Sequence, residues 1–178
     1  MRRRGPRVTL AAVAVALAGC LGATTDSPAP VDILSPGKWT PLAPMPTARQ
    51  EVAVAELNGR VFVVGGFGSG SEAVATVEVY DPATNGWSTG TPLPVGRGGL
   101  AAAVLGDRVY VFGGEAPLRI FSANEMYEVA GNRWIAKDPM RTPRHGIGAA
   151  VVGNRIYVPG GGTQPGYAAT NVNEAYAP

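Results

Sequence analysis

The stretch that decides the fold is RVYVFGG, which runs from Arg108 to Gly114 and places four apolar residues before two glycines. Two close copies of it, RVFVVGG at 60–66 and RIYVPGG at 155–161, occur in the same chain. A stretch that recurs at a fixed period is typical of stacked copies of one small structural unit. The three copies therefore predict an architecture of repeated units.

Three tryptophans set the period, because they are 48 and 47 residues apart and each is followed ten residues later by an arginine. The landmarks of the repeat are Trp39, Trp87 and Trp134; Arg49, Arg97 and Arg144; the glycine pairs Gly65–Gly66, Gly113–Gly114 and Gly160–Gly161; and Glu-x-Tyr at Glu78–Tyr80, Glu125–Tyr127 and Glu174–Tyr176. Length varies only between the glycine pair and Glu-x-Tyr, where a surface loop tolerates insertions. The repeats are predicted at about 38–85, 86–132 and 133–178.

Each repeat is predicted to form four short strands. The first follows the arginine and ends at a tight turn, Asn58–Gly59 in the first repeat, whose residues accept positive φ. The second strand is nearly all apolar, which indicates burial on both faces, the third carries Glu-x-Tyr and the fourth begins at tryptophan. Such a sheet covers its two apolar faces only by packing against neighbouring sheets around a ring. The glycine pair is expected where adjacent backbones converge and a Cβ would clash.

This pattern resembles the kelch repeats that form the blades of a β-propeller. The resemblance covers Lys38 to Pro178 and rests on the double glycine, Tyr-Asp-Pro at 80–82, the tryptophan, and Pro-x-x-Arg at 46–49 and 94–97. It implies an all-β fold of three four-stranded blades in an incomplete ring. Glu128 and Ala177 depart from it, since aspartate usually follows the tyrosine. Pro159 lies inside a second strand and predicts local irregularity, because proline donates no ladder hydrogen bond.

Three blades are fewer than the four to eight of a closed propeller. The chain opens on a fourth-type strand at Trp39 and ends on a third-type strand at Tyr176. Two interpretations follow: the chain is a fragment of a longer gene product, which we favour, or two chains join head to tail into a six-bladed ring. In the second, each Trp39 strand completes the partner's last blade. A lone monomer would expose an apolar blade face at each end.

The first 20 residues read as an export signal, with a basic start, an apolar run over 8–18 and small residues before Cys20. The sequence Leu-Ala-Gly-Cys at 17–20 resembles the bacterial lipobox, which implies a lipidated Cys20 and a mature chain anchored at the cell membrane or outer membrane, facing the periplasm or the exterior. A plain signal peptide or a short membrane anchor is the alternative, although the run is shorter than the ~20 residues of a spanning helix. Residues 21–37 are predicted to be a flexible tether.

Charge and composition exclude several classes of function. Four of the 15 basic residues lie in the leader, so the rest of the chain carries 11 basic and 13 acidic residues and no basic face for nucleic acid. His145 is the sole histidine and Cys20 the sole cysteine, which predicts no metal site and no cofactor.

The repeated arginines Arg49, Arg97 and Arg144 are expected at one mouth of the central channel. A ring of guanidinium groups could hold an acidic ligand by bidentate contacts, which suits a likeness to the sialic acid mutarotases, exported kelch proteins that act on an acidic sugar. The alternative, which we favour, is that each arginine pairs with a glutamate of the repeat and joins blade to blade. Residues that recur with a repeat generally serve the scaffold.

The loops at 67–75, 115–124 and 162–173 differ in length and content between repeats. They carry the candidate binding residues Phe67, Arg119, Phe121 and Tyr167, since aromatic and arginine side chains are common anchors of interfaces. The resulting hypothesis is an exported, lipid-anchored module that binds or scaffolds a protein or glycan at the cell envelope. A carbohydrate-active enzyme of the mutarotase type, completed by missing blades or a second chain, and a truncated product without a role of its own are the alternatives.

Overall fold

The computed structural model describes residues 37–166 and 168–178, and this part of the chain is built from antiparallel β-strands. The predicted signal, Cys20 and nearly all of the tether lie outside it, as does Tyr167. Within the described residues no helix is long and apolar enough to cross a membrane. The described strands form three blades and one small hairpin, so the all-β prediction is confirmed.

Each blade is an antiparallel meander in which sequential strands lie side by side. The first blade consists of β1 (Ala53–Leu57), β2 (Arg60–Val64), β3 (Val77–Asp81) and β4 (Gly86–Thr89). The second consists of β5 (Ala101–Leu105), β6 (Arg108–Phe112), β9 (Asn124–Glu128) and β10 (Arg133–Ala136). The third has β11 (Ala150–Val152), β12 (Arg155–Pro159) and β13 (Asn173–Tyr176). The hairpin of β7 (Glu115–Ala116) and β8 (Arg119–Ile120) lies in the loop between β6 and β9.

The blades pack face to face, as the apolar second strands predict. One core cluster joins the first blade to the second and includes Leu57, Val64 and Val109. A second cluster joins the second blade to the third and includes Phe112 and Ile156. Apart from its first residue, β6 is buried throughout, because its blade has a neighbour on each side. Burial of this apolar surface contributes about 25 cal/mol per Å² and is the main force that holds the blades together.

The glycine pairs lie where the backbone of the next blade arrives. Gly65 has a φ of +64°, and a Cβ placed on it would lie 2.5 Å from the carbonyl oxygen of Arg97. The neighbouring Gly66 donates its N–H to that same oxygen at 2.9 Å. In the second blade Gly114 donates to the carbonyl of Arg144 at 2.9 Å. The predicted convergence is confirmed, and its partner is the main chain of the next blade's arginine.

The third blade is less regular than the other two. Strand β11 has three residues where β1 and β5 have five, and all three are exposed. Pro159 ends β12 opposite Asn173. The corresponding residue of β2 is Val64, which pairs with Ala53, the first residue of β1. Proline has no N–H with which to make the hydrogen bond of such a pair. The irregularity expected from Pro159 is therefore observed.

The segment around Trp39 does not form the fourth-type strand predicted for it. Within residues 37–166 and 168–178 it pairs with no strand, and Trp39 is 101% exposed. In the first two blades the third strand is already paired with a fourth strand. The third strand that has a free outer edge is β13, and it lies in the third blade. Val54 in the first blade and Val152 in the third are also exposed, which matches the apolar outer faces expected of three blades alone.

Candidate functional site

The three repeated arginines lie at equivalent places, in the segment that leads into the first strand of each blade. The side chains of all three are fully buried. Each forms an ion pair with the glutamate of its repeat, so the expected pairing is observed: Arg49 with Glu78 at 2.8 Å, Arg97 with Glu125, and Arg144 with Glu174 at 2.7 Å.

Arg97 illustrates how such a buried cation is satisfied. Its Nε donates to the carbonyl of Gly113 at 2.7 Å, one terminal nitrogen donates to the carbonyl of Val95 at 3.1 Å, and the other binds the carboxylate of Glu125. Burial lowers the pKa of Arg97, and the charge and hydrogen bond of Glu125 oppose that shift. A buried charge is tolerated only when it is paired and hydrogen-bonded in this way.

The direction of these ion pairs differs from the prediction. The arginine and the glutamate belong to the same blade, so the salt bridge fastens the entering segment to the third strand of its own sheet. The contact between blades is made instead by the arginine's carbonyl oxygen, which accepts from the glycine pair of the preceding blade. The sequence could not separate these two roles because both fall on one residue.

Most of the guanidinium donors are therefore engaged inside the protein, although the buried Nε atoms of Arg49 and Arg144 have no hydrogen-bond partner among the described residues. Arg144, for example, donates to the carbonyls of Val158 and Gly160 at 2.9 and 2.7 Å in addition to Glu174. An acidic ligand would have to displace these contacts before it could bind the arginines. A ligand-binding role for Arg49, Arg97 and Arg144 stays a prediction.

The repeated tryptophans make a second contact between successive repeats, which sequence reasoning missed. The indole Nε1 of Trp87 donates to the carbonyl of Ala43, and that of Trp134 donates to the carbonyl of Thr91, each at 2.9 Å. In both cases the acceptor lies four residues beyond the tryptophan of the preceding repeat. The rings also pack on the repeat tyrosines, with centroid distances of 5.1 Å for Tyr80–Trp87 and 5.2 Å for Tyr127–Trp134.

An asparagine two residues before each of these tryptophans completes the contact. The hydroxyl of Tyr80 donates to Asn85 Oδ1 at 2.7 Å, and that of Tyr127 donates to Asn132 Oδ1 at 2.6 Å. Both asparagines have φ values of +47°, which a turn requires. The sequence signal was an asparagine at the same offset in two repeats. The corresponding residue before Trp39 is Gly37, which has no side chain to accept this hydrogen bond.

His145 is buried between the second and third blades. Its Nδ1 lies 2.9 Å from the carboxylate of Glu115, and its Nε2 lies 2.9 Å from the carbonyl of Gln164. Both nitrogens thus face oxygen acceptors, and the ring is 7% exposed. The role of Glu115 was missed, because no other repeat has an acid directly after the glycine pair.

The variable loops lie at one end of the blades, here called the loop end (residues 65–76, 113–123, 160–166 and 168–172). At this end Arg119 lies over the ring of Phe121, with its guanidinium carbon 4.5 Å from the ring centroid. Phe121 is 7% exposed, whereas Leu118, at the tip of the β7–β8 hairpin, is 94% exposed. Phe67 is partly buried, and its ring lies against Gly98. Arg119 and Phe121 therefore lie together in the loop of the second blade, whereas Phe67 lies in the loop of the first blade.

Comparison with known proteins identifies the repeat. A model of the Kelch motif family matches residues 48–94 and 96–141, just over half of the chain. The chain belongs to the Kelch motif family. It is similar to an F-box/kelch-repeat protein of Arabidopsis thaliana (49% identity over 49 residues, 28% of this chain) and to Kelch-like protein 21 of Danio rerio (35% identity over 84 residues, 46% of this chain). The matched stretches span 13% and 14% of the length of these relatives.

The buried ion pair of the second blade can be tested against an exposed one. Arg97→Ala leaves the carboxylate of Glu125 buried without its partner, so we expect the free energy of unfolding to fall by about 3–5 kcal/mol. Arg133→Ala is the matched control, because Arg133 binds Glu128 at 2.9 Å with 65% of its side chain exposed, and we expect a loss of about 1 kcal/mol or less. Urea unfolding of the full chain measures both. Equal losses of unfolding free energy for Arg97→Ala and Arg133→Ala would contradict the claim that the buried ion pair matters more than the exposed one.

Proposed function

We propose that this kelch module is exported, anchored by a lipid on Cys20, and binds a protein at the cell envelope through the loop end. Kelch-repeat blades support a protein-binding module, and the relatives that share the repeat carry it as one part of a larger protein. The observation that carries the proposed surface is the β7–β8 hairpin, which holds an apolar side chain out in solvent.

The hairpin tip has the properties of an interface anchor. Leu118 has a φ of +63°, which only a tight turn imposes on a leucine, and it is 94% exposed. Such backbone strain is tolerated when the surrounding structure fixes it, and it is common at binding sites. Arg119 is held in place by Phe121, so little side-chain freedom would be lost on binding. A partner that covers Leu118 and pairs with Arg119 is a protein with an apolar and acidic patch.

A protein suits this surface better than an acidic glycan does. The guanidinium groups of the three repeated arginines are buried and paired, whereas the groups exposed at the hairpin tip are a leucine and one arginine. Glycan binding and mutarotase activity are the competing functions, and an acidic sugar held by the repeated arginines would need these buried groups to become accessible.

Export and anchoring rest on the leader sequence, with its basic start, apolar run and Leu-Ala-Gly-Cys. Anchoring through Cys20 would place the blades beyond the tether predicted at residues 21–37 and leave the loop end free to meet an envelope partner.

We also propose that two copies associate head to tail. The supporting observation is that Val54 on the first blade and Val152 on the third are exposed. Apolar sheet faces of this kind favour association with a complementary face.

Anchoring is tested by metabolic labelling of the full chain with an alkyne fatty acid in a bacterial host. We expect label on the wild-type chain, none on Cys20→Ser, and loss of Cys20→Ser from the membrane fraction. Arg7→Ser serves as the control, since it changes the leader but keeps the cysteine. A wild-type chain that takes up no label, or label that persists in Cys20→Ser, would contradict the anchor.

The binding surface is tested by placing a photo-crosslinking amino acid at position 118 or, as a control, at position 129 in the producing bacterium. Val129 is 45% exposed and lies in the β9–β10 turn, at the opposite end of the same blade. We expect a discrete protein adduct from position 118 that Arg119→Glu weakens about tenfold, and none from position 129. Equal adducts at both positions would contradict the surface. Ligands on a glycan array, or turnover in a sialic acid mutarotation assay, would favour the competing functions.

A further inference from the structure

A cavity of about 340 Å³ lies between the second and third blades, and is here called the inter-blade cavity. Its walls include Phe112 and Asp138 from the second blade and the segment that follows it, and Val158 and Tyr176 from the third blade. The walls combine apolar side chains with polar ones, and they include the outer strand β13, which has no neighbouring fourth strand among the described residues. The cavity therefore marks a place where the packing of the repeat is incomplete.

The repeat itself shows what fills the equivalent position elsewhere. Between the first and second blades, Trp134 packs against the core cluster, stacks on Tyr127 and donates to the carbonyl of Thr91. The corresponding residues around the inter-blade cavity are Tyr176 and Asp138, four residues beyond Trp134. Both are present, but among the described residues no fourth strand pairs with β13 to supply the tryptophan.

The glycine pair of the third blade shows a second open contact. A Cβ on Gly160 would have its nearest neighbour, the carbonyl oxygen of Thr170, at 3.8 Å, although the same atom on Gly65 would lie 2.5 Å from Arg97. The N–H of Gly161 has no backbone partner in the described part of the chain. Within residues 37–166 and 168–178, the third blade thus has neither an arginine carbonyl beside its glycine pair nor a tryptophan beside β13.

The segment before β1 carries both missing groups at the right separation. Trp39 precedes Arg49 by ten residues, as Trp87 precedes Arg97 and Trp134 precedes Arg144. Trp39 is 101% exposed, and the carbonyl of Arg49 accepts no backbone hydrogen bond from a described residue. This segment therefore presents a free copy of what the third blade lacks.

We propose that residues 38–41 of a second copy of this chain add to the third blade as its fourth strand, with Trp39 in the inter-blade cavity, and that residues 49–51 of that copy contact the third blade beyond this strand. The indole of Trp39 then donates to the second lone pair of the Asp138 carbonyl, which already accepts from Asn124 Nδ2 at 2.9 Å, and the carbonyl of Arg49 accepts from Gly161. The proposal rests on the head-to-tail association proposed above and names the residues that make it. Two such contacts close one ring of six blades.

The register of this added strand follows from the complete blades. Tyr80 pairs with Trp87 and Tyr127 pairs with Trp134, so Tyr176 pairs with Trp39 of the second copy. One step further, Ala177 lies opposite Lys38, as Asp81 lies opposite Gly86.

Pro41 is compatible with this register. It falls opposite Glu174, at the position where Thr89 lies opposite Glu78. The next pair along, Val77 with Gly90, is joined by a hydrogen bond from Gly90 to Val77. Hydrogen-bonded and non-hydrogen-bonded pairs alternate in an antiparallel ladder, so the position of Pro41 is one that needs no N–H.

A third kind of backbone contact joins successive blades, and it continues across the proposed junction between the two copies. Gly99 donates its N–H to the carbonyl of Glu51 at 2.9 Å, and Gly146 donates to the carbonyl of Gly99 at 2.7 Å. Glu51, Gly99 and Gly146 have φ values of +54°, +61° and +58°. In the assembled pair, Glu51 of the second copy donates to Gly146 and continues this row around the ring.

Sedimentation equilibrium of the full chain tests the association and the role of Trp39 together. We expect a dimer, and a dissociation constant raised about 30-fold or more by Trp39→Ala, since a buried tryptophan at the centre of an interface carries much of its affinity. Leu118→Ala is the matched control, because Leu118 is equally exposed in a single copy but lies at the loop end. Circular dichroism should show the same fold in all three proteins.

Disulfide trapping tests the register. In a Cys20→Ser background, Lys38→Cys on one copy and Ala177→Cys on a copy of different tag length should form a mixed disulfide on oxidation, because paired residues bring their Cα atoms within the range that a disulfide spans. Leu42→Cys mixed with Ala177→Cys is the control for register and should not crosslink.

The outcomes separate this proposal from the others. A dimer that Trp39→Ala leaves intact and that fails to trap residues 38 and 177 overturns the assigned contact but leaves head-to-tail association standing. A monomer at all concentrations overturns both. Neither result affects the adducts expected from position 118 at the loop end.

Discussion

The structure depends on one contact between backbones, in which the carbonyl of an arginine enters the space beside a glycine pair of the preceding blade. Gly65 leaves no room for a Cβ there, and Gly66 supplies the hydrogen bond to Arg97. Burial of the apolar faces favours packing of the blades, but it is non-directional and does not fix one orientation of a blade relative to the next. This directional contact does so, and it recurs at Gly114 and Arg144.

The buried ion pairs hold that carbonyl in position. The side chain of Arg97 is tied to Gly113 and Glu125 in its own blade while its main chain reaches the preceding one. Replacing a buried pair by apolar residues often leaves stability unchanged, so we interpret its presence in every repeat as a means of fixing geometry. If the repeated arginines serve the scaffold, binding falls to residues that differ between the repeats, such as Leu118 and Arg119.

Much of the fold could be predicted because each blade repeats the same local signals. Apolar strands that end in two glycines, such as β6 before Gly113, define both the strands and the convergence of the blades. The site was less predictable. Arg97 contacts its own blade through its side chain and another through its carbonyl, and no sequence pattern separates the two. The environment of His145 depends on Glu115, which occurs in one repeat only. Trp39 could be matched to its repeat, but it pairs with no strand in the described part of the chain, because the third-type strand without an outer neighbour, β13, lies in the third blade.

The central claim is that close backbone approach at the glycine pair holds the blades together. It is tested most directly by comparing Gly65→Ala with Gly106→Ala in urea unfolding. Their φ values, +64° and +66°, are alike, but Gly106 has nothing within 4 Å of a Cβ. Both should lose about 1–2 kcal/mol through backbone strain, and Gly65→Ala should lose about 1–3 kcal/mol more through overpacking against Arg97. Equal losses would contradict the account.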